Sequence, residues 1–135
     1  MDFTAVFSAL LSFVSYFAIG TVMVLIFLFI YTRISRHNEW VLIKENNTAA
    51  GVAFIGAMLG YITPLSSAIS NSVSILDCII WGVIALIIQL LVLGATKIYM
   101  PKIGEKIKQN NVSAGLFLGG TSLGFGILNA VSMSY

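Results

Sequence analysis

The sequence predicts an all-α membrane protein with four transmembrane helices, and three observations lead there. Charge is scarce: 9% of the 135 residues are Asp, Glu, Lys or Arg while 59% are apolar, against roughly 25% charged in ordinary soluble domains. Charge is also segregated. No Lys, Arg, Asp or Glu occurs from Phe3 to Thr32, from Asn46 to Leu76, from Cys78 to Thr96 or from Gln109 to Tyr135. Finally, the two halves of the chain repeat each other. A spanning helix needs about 20 mainly apolar residues to cross roughly 30 Å of hydrocarbon, and a charge at mid-bilayer costs on the order of 3 kcal/mol. Each charge-free stretch therefore supplies one span. A net charge of +2 is too small to point to nucleic acid.

The first span is expected at residues 6–32. It lacks the basic leading segment of a secretory signal, its only early charge being Asp2, and no small-residue cleavage site ends its long apolar run. It reads as a retained helix. The second span is expected at 48–69 and contains Pro64, which removes a backbone donor and predicts a kink or an early helix end. The third, 74–97, starts near Cys78, the only cysteine; it has no partner for a disulfide within the chain and reads as a small apolar residue. The fourth is expected at 112–133.

The basic residues orient these spans. Arg33, Arg36 and Lys44 fall in the first connection, and Lys97, Lys102, Lys106 and Lys108 fall in the third. The second connection, Ser70 to Val73, holds none. Basic residues that flank spans stay cytoplasmic. Both charged loops are therefore expected in the cytoplasm, and both termini, with Asp2 and Asp77, on the outer side, periplasmic in a Gram-negative cell.

The halves match at a constant offset of 64 residues. Ile43-Lys44-Glu45-Asn46-Asn47 matches Ile107-Lys108-Gln109-Asn110-Asn111, Ala50-Gly51 matches Ala114-Gly115, Gly56 matches Gly120, and Leu59-Gly60 matches Leu123-Gly124. Chance apolar similarity would not keep Asn-Asn and three glycines in register. One membrane domain, 1–135, thus divides into two units, about 6–70 and 71–135. Each unit holds an even number of spans, so the repeats are parallel and their pseudo-twofold axis runs along the membrane normal.

Within this frame particular residues acquire roles. Asn47 and Asn111 open the second and fourth spans and are expected to cap them, accepting from free backbone N–H groups; ligand binding is the rival reading. Asn46 and Asn110 have no such automatic task. Gly56 with Gly60, Gly115 with Gly119, and Gly120 with Gly124 form small-residue pairs at spacing four, which let helices approach closely in lipid. They predict packing of the second and fourth spans on each other or on neighbouring copies, hence a homo-oligomer. A cofactor-binding glycine loop is rejected, because no strand or phosphate-binding context precedes them. Gln89, alone and polar in mid-span, reads as a hydrogen-bonding link between helices, or else as part of a pore with Thr63, Ser66, Ser67, Asn71 and Asn129 near the outer end.

The charged connections look like short interfacial helices. Met100, Ile103 and Ile107 share one face, with Lys102, Lys106 and Lys108 covering much of the rest, a pattern suited to an anionic leaflet. In the first connection Trp40 and Ile43 play the apolar part beside Lys44. These residues either anchor the chain to the lipid bilayer or recruit a cytosolic partner. His37 has no visible partner residue. No nucleophile–base pair, paired carboxylates or metal cluster is recognisable, so no catalytic residue, metal or cofactor is expected and enzymatic activity is not.

The run His37-Asn38-Glu39-Trp40, then Leu42-Ile43-Lys44, Asn46-Asn47-Thr48-Ala49-Ala50, and Gly60-Tyr61 through Pro64-Leu65-Ser66-Ser67 resembles the YjfL-type inner-membrane proteins, domain-of-unknown-function family 350. The likeness covers almost the whole chain. It implies a bacterial inner-membrane protein built from repeated two-helix units, with no established activity. It also implies, by association of members with phage-shock-type membrane-stress proteins and peptide-ligase-like enzymes, a part in envelope maintenance. The expected function is an oligomeric, non-enzymatic envelope or membrane-stress component that docks cytosolic partners. The alternative is an oligomeric channel for ions or small solutes. A proton-coupled transporter ranks last, because no acidic residue lies inside the membrane, Asp77 being at the edge of its span.

Overall fold

A computed structural model describes residues 2–35 and 38–133. Arg36 and His37, read above as part of the first loop, lie outside them. Six helices follow in order: α1 (Phe3–Ile34), α2 (Glu39–Lys44), α3 (Thr48–Asn71), α4 (Ile75–Tyr99), α5 (Ile103–Lys108) and α6 (Val112–Ser132). Four of them, α1, α3, α4 and α6, are long and apolar enough to cross a membrane, and no strand occurs among the described residues. The spans start and end within a few residues of the charge-free stretches, because the first charge on either side is where hydrocarbon stops being a tolerable solvent.

Each short helix is joined to the span after it by the same device. After α2, Asn46 adopts φ 63°, and after α5, Asn110 adopts φ 60°. Asparagine enters this left-handed region more readily than other non-glycine residues. The turn lets the Asn46 N–H reach the Ile43 carbonyl (3.1 Å) and the Asn47 N–H reach that of Leu42 (2.9 Å). Likewise Asn110 N–H donates to Ile107 O and Asn111 N–H to Lys106 O, both at 2.9 Å. These bonds satisfy carbonyls that the helix end leaves free. The second asparagine of each pair then caps the next span: Asn47 Oδ1 accepts from Ala50 N at 2.9 Å, and Asn111 Oδ1 from Ala114 N at 3.2 Å. The first asparagine ends one helix and the second begins another, which is why the pair is needed twice. On the opposite side of the membrane, Ser74 accepts from Asp77 N while Asp77 accepts from Val73 N, both at 3.1 Å, a reciprocal cap that starts α4.

The core is built around α3, whose buried side carries mostly small residues. Its backbone lies directly against that of α6. A Cβ added at Gly56 would strike Gly119 backbone, one at Gly115 would strike Ala49 backbone, and one at Gly126 would strike Gly60 backbone. Such closeness is what drives association where lipid removes the hydrophobic drive between helices. α4 buries the stripe Cys78, Gly82, Ala85, Gln89, Leu93 and Thr96. Gly82 gives room to Met23 and Leu65, and its carbonyl accepts from Tyr61 Oη at 2.9 Å. α1 contributes Gly20, Met23, Phe27 and Tyr31, with Phe27 stacked on Tyr61 at 4.9 Å. Ile19, Val24 and Leu28, partly buried, pack against the core, and residues 2–14 are exposed throughout.

Two expectations are modified. α3 does not end near Pro64 but continues to Asn71 with Pro64 inside it. The apolar side of α5, expected on the leaflet, is turned into the bundle: Ile103 and Ile107 belong to the hydrophobic core. Pro101, two residues before this helix, begins a turn in which Ile103 N–H donates to Met100 O at 3.0 Å, and this folds α5 back under the end of the spans.

Candidate functional site

Two places gather polar groups, one inside the bundle and one at its charged end. Inside, Gln89 on α4 is fully buried. Its Nε2 donates to the Ser122 carbonyl of α6 at 3.0 Å, and its amide lies over Gly60 of α3, where a Cβ would collide with it. One side chain thereby ties three helices. Gln89 Oε1, Ser122 Oγ and Asn129 Nδ2 are buried without a hydrogen-bond partner. The Ser122 carbonyl belongs to a helix, so Gln89→Leu removes one bond and one unpaired oxygen together. The expected loss is below about 1 kcal/mol, near the average for interhelical hydrogen bonds in lipid, read as unfolding in detergent. A loss of several kcal/mol would show that Gln89 is a principal clamp.

The outer polar residues do not converge on a shared centre. Thr63 Oγ1 donates to Leu59 O at 2.7 Å, and Asn71 Nδ2 to Ser67 O at 2.9 Å, both within α3. Ser67 Oγ crosses to Ala130 O of α6 at 3.0 Å. Ser66 faces instead the groove between α1 and α3, beside Tyr16 and Gly20. Asn129 is buried on α6. Thr63, Ser67 and Asn71 thus spend donors on backbone carbonyls.

At the charged end, an open cleft of about 730 Å³ lies between the end of α1, the end of α4 and the Pro101–Lys108 segment. Arg33, Lys97 and Lys108 line it, with one carboxylate, Glu105. The Lys97 ammonium donates to the Ile34 carbonyl, placing a cation at the negative end of the α1 dipole. The Arg33 guanidinium lies 4.9 Å over the Phe29 ring, so its charge is held at the cleft rim. Among the described residues, the lining of this cleft carries three cations and one carboxylate. Of the loop residues singled out by sequence, Lys108 lines the cleft, while Lys44, Lys102 and Lys106 are exposed on the same end. Trp40 is half exposed and packs edge-on against Phe54 at 5.1 Å, fastening α2 to α3. Arg33 and Lys97 are equivalent by the repeat offset, each standing between Thr and Ile in Thr32-Arg33-Ile34 and Thr96-Lys97-Ile98, a match that could have marked them as a pair.

Asn47 does more than cap: its Nδ2 donates to Ile107 O (2.9 Å) and Lys108 O (3.2 Å). Asn110, to which the sequence assigned no task, accepts from Ala49 N at 3.0 Å. Gly56, Gly60, Gly115 and Gly119 lie in the α3–α6 contact, whereas Gly120 and Gly124 face open space with nothing within 4 Å. Gly126, not singled out, joins the contact. Among the described residues, no three His, Cys, Asp or Glu side chains come together.

Comparison with known proteins adds a family. A family model described as Domain of Unknown Function (DUF350) matches residues 5–133. The UPF0719 inner membrane protein YjfL of Escherichia coli strain K12 is 55% identical over 130 residues, covering 96% of this chain and 98% of the relative. The UPF0719 transmembrane protein YshE of Bacillus subtilis strain 168 is 24% identical over 121 residues, covering 88% and 90%. No solved structure matches the chain.

Proposed function

We propose, from the premise that this chain belongs to the DUF350 family, that it is a multi-pass inner-membrane protein which assembles with copies of itself and docks an anionic cytosolic partner, without catalysing a reaction. The names of its relatives and its four apolar helices support the location. The distribution of basic residues supports the orientation, with α2 and α5 on the cytoplasmic side and both termini outside. Two tandem units, each a span, a short surface helix and a second span, are supported by the offset of 64 residues and by the twin asparagine turns at Asn46 and Asn110. Lys102 and Lys106 on the outer side of α5 suit the headgroup region of an anionic leaflet.

The observation that carries the docking role is the cleft lined by Arg33, Lys97 and Lys108. A basic concavity at the membrane surface attracts an acidic protein surface and orients it. A soluble membrane-stress protein, the partner class that the family resemblance implies, is the occupant to look for. Changing Lys102, Lys106 and Lys108 together to Glu should abolish co-purification of that partner. It should leave thermal stability in detergent unchanged, since all three side chains are exposed. Partner retention by the folded triple variant, and also when Arg33→Glu at the cleft is added to it, would end the docking reading.

A channel is the second reading, and the buried polar atoms around Gln89 are what speaks for it. Against it stands the use of Gln89 Nε2 on the Ser122 carbonyl. Liposomes carrying the wild-type protein should stay tight to ions; a flux that Gln89→Leu suppresses would decide for the channel.

A further inference from the structure

The contact between α3 and α6 joins faces that do not correspond under the repeat, so the pseudo-twofold axis expected along the membrane normal does not relate the two units: Gly56 meets Gly119, but its twin Gly120 meets nothing. α3 offers Ala49, Val52, Gly56 and Gly60, and α6 answers with Gly115, Gly119, Ser122 and Gly126. Shifted by the offset, the α3 set becomes Ser113, Leu116, Gly120 and Gly124 of α6. All four are exposed, and Gly120 and Gly124 have nothing within 4 Å of an added Cβ. Shifted back, the α6 set becomes Gly51, Ile55, Met58 and Ile62 of α3. Ile55 is 49% exposed, and Gly51 again meets nothing within 4 Å. A glycine inside a helix costs roughly 1 kcal/mol against alanine, a cost that close approach of another backbone offsets.

The first helices of the two units repeat the pattern. The stripe with which α4 covers the first unit, Cys78, Gly82, Ala85, Gln89 and Leu93, is buried. Its counterpart on α1, Val14, Ala18, Thr21, Leu25 and Phe29, is exposed along its whole length. In the first unit α4 covers Phe27 and Tyr61, which are fully buried. Their counterparts Leu91 and Phe125 line an open apolar groove of about 470 Å³ between α4 and α6. Each face used where the first unit meets the second therefore has a twin that is exposed or, at Gly51, Met58 and Ile62, partly so, with Met58 also touching the core. The twins form one surface on the first unit and its complement on the second.

We infer that the first unit of a second copy of this chain packs on the second unit of the first, repeating between copies the contact that joins the units within one chain. This deepens the self-assembly reading above and rests on the two-unit division. The contact is heterologous, head to tail, and successive copies close into a ring if the rotation closes. Gly119 meets Gly56 within the chain, so Gly120 of one copy should meet Ile55 of the next. Gln89 meets Gly60, so Leu25 of the next copy should meet Gly124.

The test uses singly substituted, differently tagged chains in native membranes, with Cys78 retained because it is buried. A disulfide needs Cβ atoms about 4 Å apart, so Ile55→Cys mixed with Gly120→Cys should crosslink under mild oxidation roughly tenfold more than either variant alone. Leu25→Cys mixed with Gly124→Cys provides an independent pair at exposed positions. Self-crosslinking of Gly120→Cys without the mixed product would mean a twofold contact and overturn the proposal. So would oligomers on native mass measurement with neither mixed pair crosslinked, which would leave self-assembly standing. A monomer at every protein-to-lipid ratio would sink both.

Discussion

Gly126→Leu should strongly destabilise the protein, whereas Gly120→Leu should leave its stability unchanged. The two glycines lie six residues apart on one helix, yet a side chain at Gly126 would be built into the Gly60 backbone, and one at Gly120 would meet nothing. A backbone cannot turn aside as a side chain can, so α6 must move off α3. Overpacking of this kind costs about 3 kcal/mol or more, which for a chain this size lowers the unfolding midpoint by roughly 10 °C. Gly60→Leu belongs with Gly126→Leu, because Gln89 and the Ser122 backbone fill its site. Gly124→Leu belongs with Gly120→Leu and should weaken contact between copies only. Thermal unfolding in detergent separates the classes, and equal losses at Gly126 and Gly120 would show that the faces are wrongly assigned.

Asn47→Ala should cost clearly more than Asn111→Ala, although both residues cap a span. Asn111 accepts one backbone N–H, and losing that bond costs about 1 kcal/mol. Asn47 makes the same cap and also donates to two carbonyls at the end of α5. With roughly 1 kcal/mol for each further bond, Asn47→Ala should lose about 2 to 3 kcal/mol. Asn47→Asp keeps the cap acceptor but loses the donors, so its midpoint should fall between wild type and Asn47→Ala. Equal midpoints for the two alanine variants would mean that the ties from Asn47 to α5 contribute nothing.

The four spans were legible because insertion depends on charge and apolar length, both of which are local properties of the chain. The asparagine caps were legible for a similar reason: the group each satisfies lies three residues away. What was not legible is which side of a glycine-rich helix meets a neighbour. Gly115, Gly119, Gly120, Gly124 and Gly126 together cover much of the circumference of α6. Spacing alone offers Gly115 with Gly119 and Gly120 with Gly124 alike, while the α3 contact uses Gly115, Gly119 and Gly126. The inward turn of Ile103 and Ile107 was hidden likewise, because an apolar face reads the same whether lipid or protein covers it. The role of Asn110 is not legible because its partner, Ala49 N, lies 61 residues away in sequence.

α1 runs for 32 residues, against 21 to 25 for the other spans. At about 1.5 Å per residue it is roughly 48 Å long, well beyond a hydrocarbon layer of about 30 Å. No ionic side chain interrupts it between Phe3 and Thr32, so the surplus cannot stand in water without exposing phenylalanines. The helix must lean, or the surrounding lipids must stretch to meet it, and each response stores elastic energy in the bilayer. A membrane enriched in long acyl chains relaxes that tension and a thin one raises it, making lipid thickness a quantity to which this protein is mechanically coupled.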